Sequence, residues 1–227
     1  GGSAVVGYRI ERSADSGATW TTIVADTGST STSYVATGLT NGQSYAFRIS
    51  AINAVTVGAA GLATSVVPAG LPSAPTSVSP TATDSAVMLL WTRPVNDGGN
   101  AIVGYMVEQS DDNGTTWTVA IADTASTVPA VTVTGLVNGT AYRFRVSAVN
   151  GVGAGTASTA VAATPATVPG APVSFTATAG NGRVELAWSA PSIDGGSAVT
   201  GYRIERSADG ITWTTIATGV SGTTHSV

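Results

Sequence analysis

Apolar and polar residues alternate along most of the chain, which is typical of β-strands with one buried face. Residues 87–91 and 184–188 show the same alternating run, and residues 45–51 and 142–148 show another. No long stripe of apolar residues has the spacing of an amphipathic helix. Short strands at intervals of about 8–12 residues, separated by turn residues, predict an all-β antiparallel sandwich or barrel.

The alternating pattern itself repeats at a spacing of 97 residues. Residues 7–11, Gly-Tyr-Arg-Ile-Glu, return in similar form at 104–108 and identically at 201–205. A period of this length is too long for a solenoid repeat, so each copy is predicted to be a domain with its own core. The chain therefore holds one complete unit between two partial ones.

Proline marks the predicted domain boundaries. Two clusters are related by the same shift of 97 residues: Pro68, Pro72 and Pro75, then Pro165, Pro169 and Pro172. Proline fixes φ and cannot donate a hydrogen bond to a sheet, which suits stiff junctions and edge strands. We therefore predict units at 1–69, 70–166 and 167–227. The short linkers favour a semi-rigid rod, whose first expected partners are adjacent repeats of the same or a neighbouring chain.

Composition narrows the classes of function. Only 10% of residues are charged and the net charge is −4, so no basic surface is available for nucleic acid. The chain has no cysteine, which excludes disulfides and thiolate metal sites. No apolar run is long enough to predict a membrane span.

The middle copy resembles a fibronectin type III repeat. The matching features are the Pro-Ser-Ala-Pro entry at 72–75, Trp91, Tyr105, and the run Gly-Leu-Val-Asn-Gly-Thr-Ala-Tyr at 135–142. The resemblance implies tandem immunoglobulin-like sandwiches of seven antiparallel strands, named A, B, C, C′, E, F and G. It also implies a tyrosine corner, in which a phenol tethers nearby backbone. The implied core residues are Trp91, Trp188, Tyr8, Tyr105, Tyr202, Leu39, Tyr45, Leu136 and Tyr142.

The same resemblance describes the partial copies. The first is expected to contain strands C to G and to lack A and B. The third is expected to contain strands A to E and to lack F and G. A slice through a longer tandem array is favoured over completion of each end by another chain, because two copies of the central strand C cannot occupy one sheet.

A second motif, Ser-x-Asp-x-Gly-x-Thr-Trp, occurs at 13–20 and 110–117, and a shorter form occurs at 207–213. It is similar to the Asp-box of sialidase propellers, but blades recur about every 40–50 residues rather than every 97. We expect a hairpin in which Asp binds turn amides, Gly takes a positive φ and Trp is half-buried. The residues of this predicted hairpin are Asp15, Gly17, Trp20, Asp112, Gly114 and Trp117.

The candidate catalytic and metal-binding groups are sparse. Glu11, Glu108 and Glu205 occupy equivalent positions on strand C, where Arg48 and Arg145 of strand F are expected to form surface ion pairs with the first two. His225, the only histidine, occupies a position equivalent to Tyr34 on a strand, with no His or Cys partner. Residues 97–100 are interpreted as a loop rather than a calcium site. We therefore predict no catalytic residue, no cofactor and no metal.

These features predict a non-catalytic spacer or assembly module of an extracellular, cell-surface or virion protein. The alternative is a carbohydrate- or protein-binding module of a secreted enzyme, a surface adhesin or a phage tail. A surface glycan could then stack on Trp20, Trp117 and Trp213. Fold alone does not separate these functions.

Overall fold

The computed structural model of the chain describes residues 2–227; Gly1, the first residue of the predicted unit 1–69, lies outside the described residues. Within that range every regular element is a β-strand, and all paired strands are antiparallel. No helix in it is long and apolar enough to cross a bilayer. The predicted all-β class is confirmed.

The middle unit is a complete two-sheet sandwich. Its strands A to G are β6 (Thr76–Thr83), β7 (Ala86–Thr92), β8 (Ile102–Ser110), β9 (Thr118–Ile121), β10 (Ala130–Thr134), β11 (Tyr142–Asn150) and β12 (Val161–Ala163). One sheet has the order β10-β7-β6 and the other β12-β11-β8-β9. This arrangement confirms the predicted seven-stranded antiparallel sandwich.

The core of the middle unit lies between these sheets. Trp91 projects inward from β7, and Tyr105 and Phe144 from the facing sheet are fully buried. Leu136 and Tyr142 are buried in the same cluster, and the Tyr142 hydroxyl accepts a hydrogen bond from the Val137 amide at 3.2 Å. This contact forms the tyrosine corner that tethers the start of β11 to the preceding turn.

The first unit has a single sheet. Its strands are β1 (Val5–Ser13), β2 (Thr21–Val24), β3 (Tyr45–Asn53), β4 (Val57–Ala60) and β5 (Thr64–Val66). The sheet has the order β2-β1-β3-β4, with β5 also paired to β3.

The expected strand E of the first unit is not formed, since no strand lies between β2 and β3. In the middle unit strand E (β10) pairs with strand B (β7), and the first unit contributes no strand B. Tyr34, on the segment that would form strand E, is 52% exposed. Tyr8 and Leu39 are only half-buried, whereas Tyr45 is buried and its hydroxyl accepts the Thr40 amide at 3.1 Å.

The third unit forms two small sheets. Its strands are β13 (Val173–Ala179), β14 (Val184–Ser189), β15 (Tyr202–Arg206), β16 (Thr214–Val220) and β17 (Thr224–Ser226). Sheet β13-β14-β17 corresponds to strands A, B and E, and β15-β16 to C and C′.

Register relates the third unit to the middle one. His225 pairs with Leu186, as Val131 pairs with Leu89 in the complete sandwich. Trp188 is buried with Leu186 and Ile204, and Tyr202 packs half-buried against this cluster. The core is smaller than in the middle unit because β15 has only β16 beside it.

Candidate functional site

The predicted hairpin of the first unit joins β1 to β2 and is organised by one carboxylate. Ser13 Oγ donates to Asp15 Oδ1 at 2.6 Å, and the Thr19 amide donates to the same oxygen at 2.9 Å. Gly17 has a φ of +93°, which a side chain would strain. The Ser13 hydroxyl, followed by Thr19, lowers the pKa of Asp15 to about 2.

The corresponding hairpin of the middle unit joins β8 to β9. Ser110 Oγ donates to Asp112 at 2.6 Å, the Thr116 amide donates at 2.9 Å, and Gly114 has a φ of +91°. The Ser110 hydroxyl and then Thr116 hold the pKa of Asp112 well below its ordinary value. A carboxylate stabilised in this way is a weak proton acceptor, and all of these contacts lie within the turn.

A Trp–Arg–Glu cluster crosses the outer face of the C′-C-F strands in the first two units. In the first unit it contains Glu11, Trp20 and Arg48; Arg48 Nε donates to Glu11 Oε2 at 2.8 Å and its guanidinium lies 4.2 Å from the Trp20 ring centroid. Arg9 also contacts the Glu11 carboxylate. Hydrogen bonds from Arg48, then Arg9, lower the pKa of Glu11.

The cluster recurs in the middle unit as Glu108, Trp117 and Arg145. Arg145 makes two hydrogen bonds to Glu108, at 2.7 and 2.9 Å, and lies 4.3 Å from the Trp117 centroid. The side chains of Glu11 and Glu108 are only 6% and 15% exposed. The expected cross-strand ion pairs are therefore formed, but the carboxylates are less exposed than a surface pair requires, because the Arg and Trp side chains pack beside them.

The third unit lacks this cluster. Trp213 is 61% exposed, so the expectation that it is half-buried was wrong. Glu205 pairs with Arg203 of its own strand at 3.4 Å. Strand F supplies the arginine in the other two units, and β15 has no strand F beside it.

The remaining candidate sites hold no cluster of ligands. Among residues 2–227 no group of three or more His, Cys, Asp or Glu side chains could hold a metal ion. In the loop at residues 97–100, Asp97 Oδ1 accepts the Gly99 amide at 2.8 Å, as expected for a turn.

A joint between units, which the sequence interpretation missed, uses this same loop. The Gly42 amide donates to the Pro68 carbonyl at 2.8 Å, and the Gly70 amide donates to the Gly98 carbonyl at 2.8 Å. A Cβ built on Gly99 would lie 2.1 Å from the Gly42 nitrogen. We call this set of contacts, between the Asn-Gly turn of one unit and the Gly-Gly loop of the next, the double-glycine joint.

The second double-glycine joint repeats the first at a shift of 97 residues. The Gly139 amide donates to the Pro165 carbonyl at 2.9 Å, and the Thr167 amide donates to the Gly195 carbonyl at 2.8 Å. A Cβ on Gly196 would lie 2.3 Å from the Gly139 nitrogen. Gly99 and Gly196 must be glycine for two reasons, because each has a positive φ and neither has room for a side chain.

Asparagine side chains support the joints. At the first joint, Asn150 Nδ2 donates to the carbonyls of Gly70 and Asp97, both at 2.8 Å. At the second, Asn138 accepts the Ser85 amide and donates to Asp84, both at 2.8 Å. The available signal in the sequence was the recurrence of Gly-Gly and Asn-Gly at the same spacing as the prolines.

Comparison with known proteins identifies the family of the middle unit. Residues 73–164 match the fibronectin type III domain. The chain is 34% identical to Titin of Drosophila melanogaster over 65% of its length and 1% of that protein. It is 33% identical to Exoglucanase B of Cellulomonas fimi over 94% of the chain and 19% of that protein.

Among solved structures, titin domains A168–A170 match 54% of the chain and 40% of that structure at 26% identity, with a TM-score of 0.42. The chain spans only a small part of the curated relatives it matches. Their similarity concerns modules rather than whole proteins.

Proposed function

We propose that this chain, whose middle unit is a fibronectin type III domain and whose flanking units repeat it, acts as a non-catalytic structural spacer. Its role is to hold attached parts of an extracellular or virion protein at a set distance and orientation. The observation that carries the proposal is the double-glycine joint, which is built from equivalent residues at both junctions.

The joint supports a spacer because it restricts rotation between units. A linker of a few residues would otherwise allow wide swinging of one sandwich relative to the next. Here, backbone hydrogen bonds tie the linker to both of its neighbours, and Pro165, whose carbonyl accepts the Gly139 amide, is fully buried at the second joint. Direct packing of glycine backbone on glycine backbone leaves little space for a change of angle.

The relatives support a module that occurs within different larger proteins. Exoglucanase B, by its name, acts on a glucan, and this chain matches about a fifth of it. We infer that attachment to a secreted polysaccharide-degrading enzyme is one setting for such a spacer. Titin shows a similar module within a very long chain.

The distance between two units tests the proposal. The chain has no cysteine, so spin labels can be attached at Thr22→Cys in the first unit and Thr118→Cys in the middle one. Pulsed electron paramagnetic resonance should give one narrow distance distribution. Gly99→Ala should broaden it, because the new Cβ meets the Gly42 backbone.

Gly135→Ala is the matched control. Gly135 has a φ of +76°, close to the +77° of Gly99, but nothing lies within 4 Å of its Cβ position. Both substitutions carry the same backbone strain, and only one touches the joint. A broad distribution in the parent chain, or equal broadening in the two variants, would reject the rigid-spacer proposal.

A second candidate, a glycan-binding module, is favoured by the exposed indole of Trp213. Exposed aromatic rings stack on sugar faces, whereas Trp20 and Trp117 are each stacked by an arginine. Retention of the chain on insoluble cellulose, lost in Trp213→Ala, would establish binding. If neither protein is retained on cellulose, the glycan-binding function is rejected and the spacer function remains.

A further inference from the structure

Five Asn-Gly pairs occur in the chain, and their surroundings differ. They are residues 41–42, 113–114, 138–139, 150–151 and 181–182. Asn-Gly is the dipeptide most prone to spontaneous loss of the side-chain amide, since glycine has no side chain to hinder attack by its own nitrogen. Asparagine is accordingly among the thermolabile residues.

Four of the pairs have the attacking nitrogen held in a hydrogen bond. The acceptors are the Pro68 carbonyl for Gly42 (2.8 Å), Ser110 Oγ for Gly114 (2.8 Å), the Pro165 carbonyl for Gly139 (2.9 Å) and Asn100 Oδ1 for Gly151 (3.2 Å). Cyclisation would have to break this bond and move the backbone, so these pairs are protected by the fold.

The fifth pair lies in the turn between β13 and β14. Asn181 and Gly182 are both exposed, and no heavy atom lies within 4 Å of the Gly182 Cβ position. Within residues 2–227 the Gly182 amide has no hydrogen-bond acceptor. The turn is closed by the Gly180 amide, which donates to the Arg183 carbonyl at 2.8 Å, and this hydrogen bond does not involve the Gly182 nitrogen.

We propose that Asn181 is the site of a self-catalysed modification, deamidation through a cyclic imide. The Gly182 nitrogen loses its proton and bonds to Cγ of Asn181, and the Cγ–amide bond breaks to release ammonia. Water then opens the imide at either carbonyl and leaves aspartate or isoaspartate. One negative charge is added to a chain of net charge −4.

The fold already accommodates the aspartate product at this position. Asn181 corresponds to Asp84 of the middle unit at the shift of 97 residues, and Ser85 matches Gly182 with a φ of +51° against +68°. Asp84 accepts a hydrogen bond from Asn138 beside the second joint. Deamidation therefore places on the third unit a carboxylate of the kind that the middle unit uses next to its joint.

Peptide mapping by mass spectrometry tests the proposal on the full chain. After incubation in mildly alkaline buffer, Asn181 should deamidate at least about tenfold faster than the other four asparagines. Tenfold is the ratio expected when each protected site must first break one ordinary hydrogen bond. In concentrated urea all five sites should react at similar rates, because only the fold distinguishes them.

Two substitutions sharpen the result. Gly182→Ala should abolish the modification at Asn181 in the same incubation, since a methyl group hinders the attack. Gly196→Ala should accelerate loss of the amide at Asn138 by opening the second joint, while Gly210→Ala, which has a positive φ but no contact, should not.

The two proposals fail separately. A folded chain in which Asn181 reacts no faster than Asn138 would overturn the modification site. Fast reaction at Asn181 without any effect of Gly196→Ala would instead count against the rigid joint.

Discussion

Trp91 and Tyr105 meet edge to face across the two sheets of the middle unit, with ring centroids 4.8 Å apart and planes inclined by 68°. Trp188 and Tyr202 repeat the pair in the third unit at 5.2 Å and 69°. Each pair joins strand B of one sheet to strand C of the other. Offset and edge-to-face contacts of this kind stabilise beyond the area that they bury.

Removal of the Trp91 indole should therefore destabilise the middle unit strongly. We expect Trp91→Ala to lower its free energy of unfolding by about 3–5 kcal/mol, because burial is lost and a cavity is left. Hydrogen–deuterium exchange of amides in β7 and β8 reports this unit separately from its neighbours. The exposed Trp213 provides the control: Trp213→Ala should change the free energy of unfolding of the third unit by less than about 0.5 kcal/mol. A loss below about 1 kcal/mol for Trp91→Ala would contradict its assignment as a core residue.

Two buried tyrosines should respond in opposite ways to loss of the hydroxyl. Tyr142→Phe removes the acceptor for the Val137 amide and should cost about 0.5–1.5 kcal/mol. The Tyr105 hydroxyl is buried without a hydrogen-bond partner among residues 2–227, so Tyr105→Phe should be neutral or stabilising. Chemical denaturation of the two variants, compared with the parent chain, measures both effects. An equal loss in both would show that the tyrosine corner has no special role.

Replacing the arginine of the Trp–Arg–Glu cluster by lysine should lower the stability of its unit. Arg145→Lys keeps the charge but loses the planar fork to Glu108 and the stacking on Trp117, at a cost of about 1 kcal/mol. Arg183 pairs with Glu185 at 3.0 Å with both side chains about 60% exposed, so Arg183→Lys should have almost no effect. The free energies of unfolding of the two variants, each measured by exchange in its own unit, make the comparison. Similar values would mean that the covered pair behaves like a surface pair.

The lowered pKa values of the hairpin carboxylates predict that the protein loses stability at low pH; we call this decline the acid limb. Because folding lowers the pKa of Asp112, its ionised form contributes stability that is fully present above the unfolded value. That contribution is lost as the pH falls through the lower folded value. The midpoint temperature of thermal unfolding should therefore be nearly constant above about pH 5 and should fall below about pH 4.

Two variants locate this acid limb in the hairpin. Asp112→Asn should make it shallower, because the amide does not titrate, while Asp15 and Glu11 still contribute to the decline. Ser110→Ala removes the hydroxyl that contributes most to the shift, so less stability should be lost on acidification and the decline should end at a higher pH. An acid limb unchanged in both variants would place the responsible carboxylates elsewhere.

Local pattern was sufficient for most of the fold. The alternation at 87–91 and 184–188 predicted strands that the structure shows as β7 and β14. The comparison of the copies placed His225 at the position of Tyr34, and His225 pairs with Leu186 as Val131 pairs with Leu89, although the third copy is three residues shorter by this point. The strand period is a property of neighbouring residues, and the repeat spacing is found by comparing segments of the sequence. Both can therefore be read without coordinates.

Predictions failed where a side chain or strand depends on a partner from elsewhere in the chain. The segment around Tyr34 has the sequence of a strand but no strand B to pair with. Trp213 ends a shorter form of the motif that contains Trp20 and Trp117, and it is exposed because no arginine from a strand F covers it. The burial of Glu11 likewise depends on Arg48 of another strand and on Trp20 of the hairpin.

The amino-acid sequence by itself determined the strand type and the carboxylate-stabilised hairpins, since each follows from residues close together along the chain. The sandwich and its aromatic core came from the resemblance to a known family. Only the tertiary structure decided which glycines must be glycine. Gly99 and Gly135 are alike in φ, but Gly99 lies against the backbone of the preceding unit and Gly135 against nothing. Contact between distant backbones has no side-chain pattern, so it becomes visible only once the units are placed side by side.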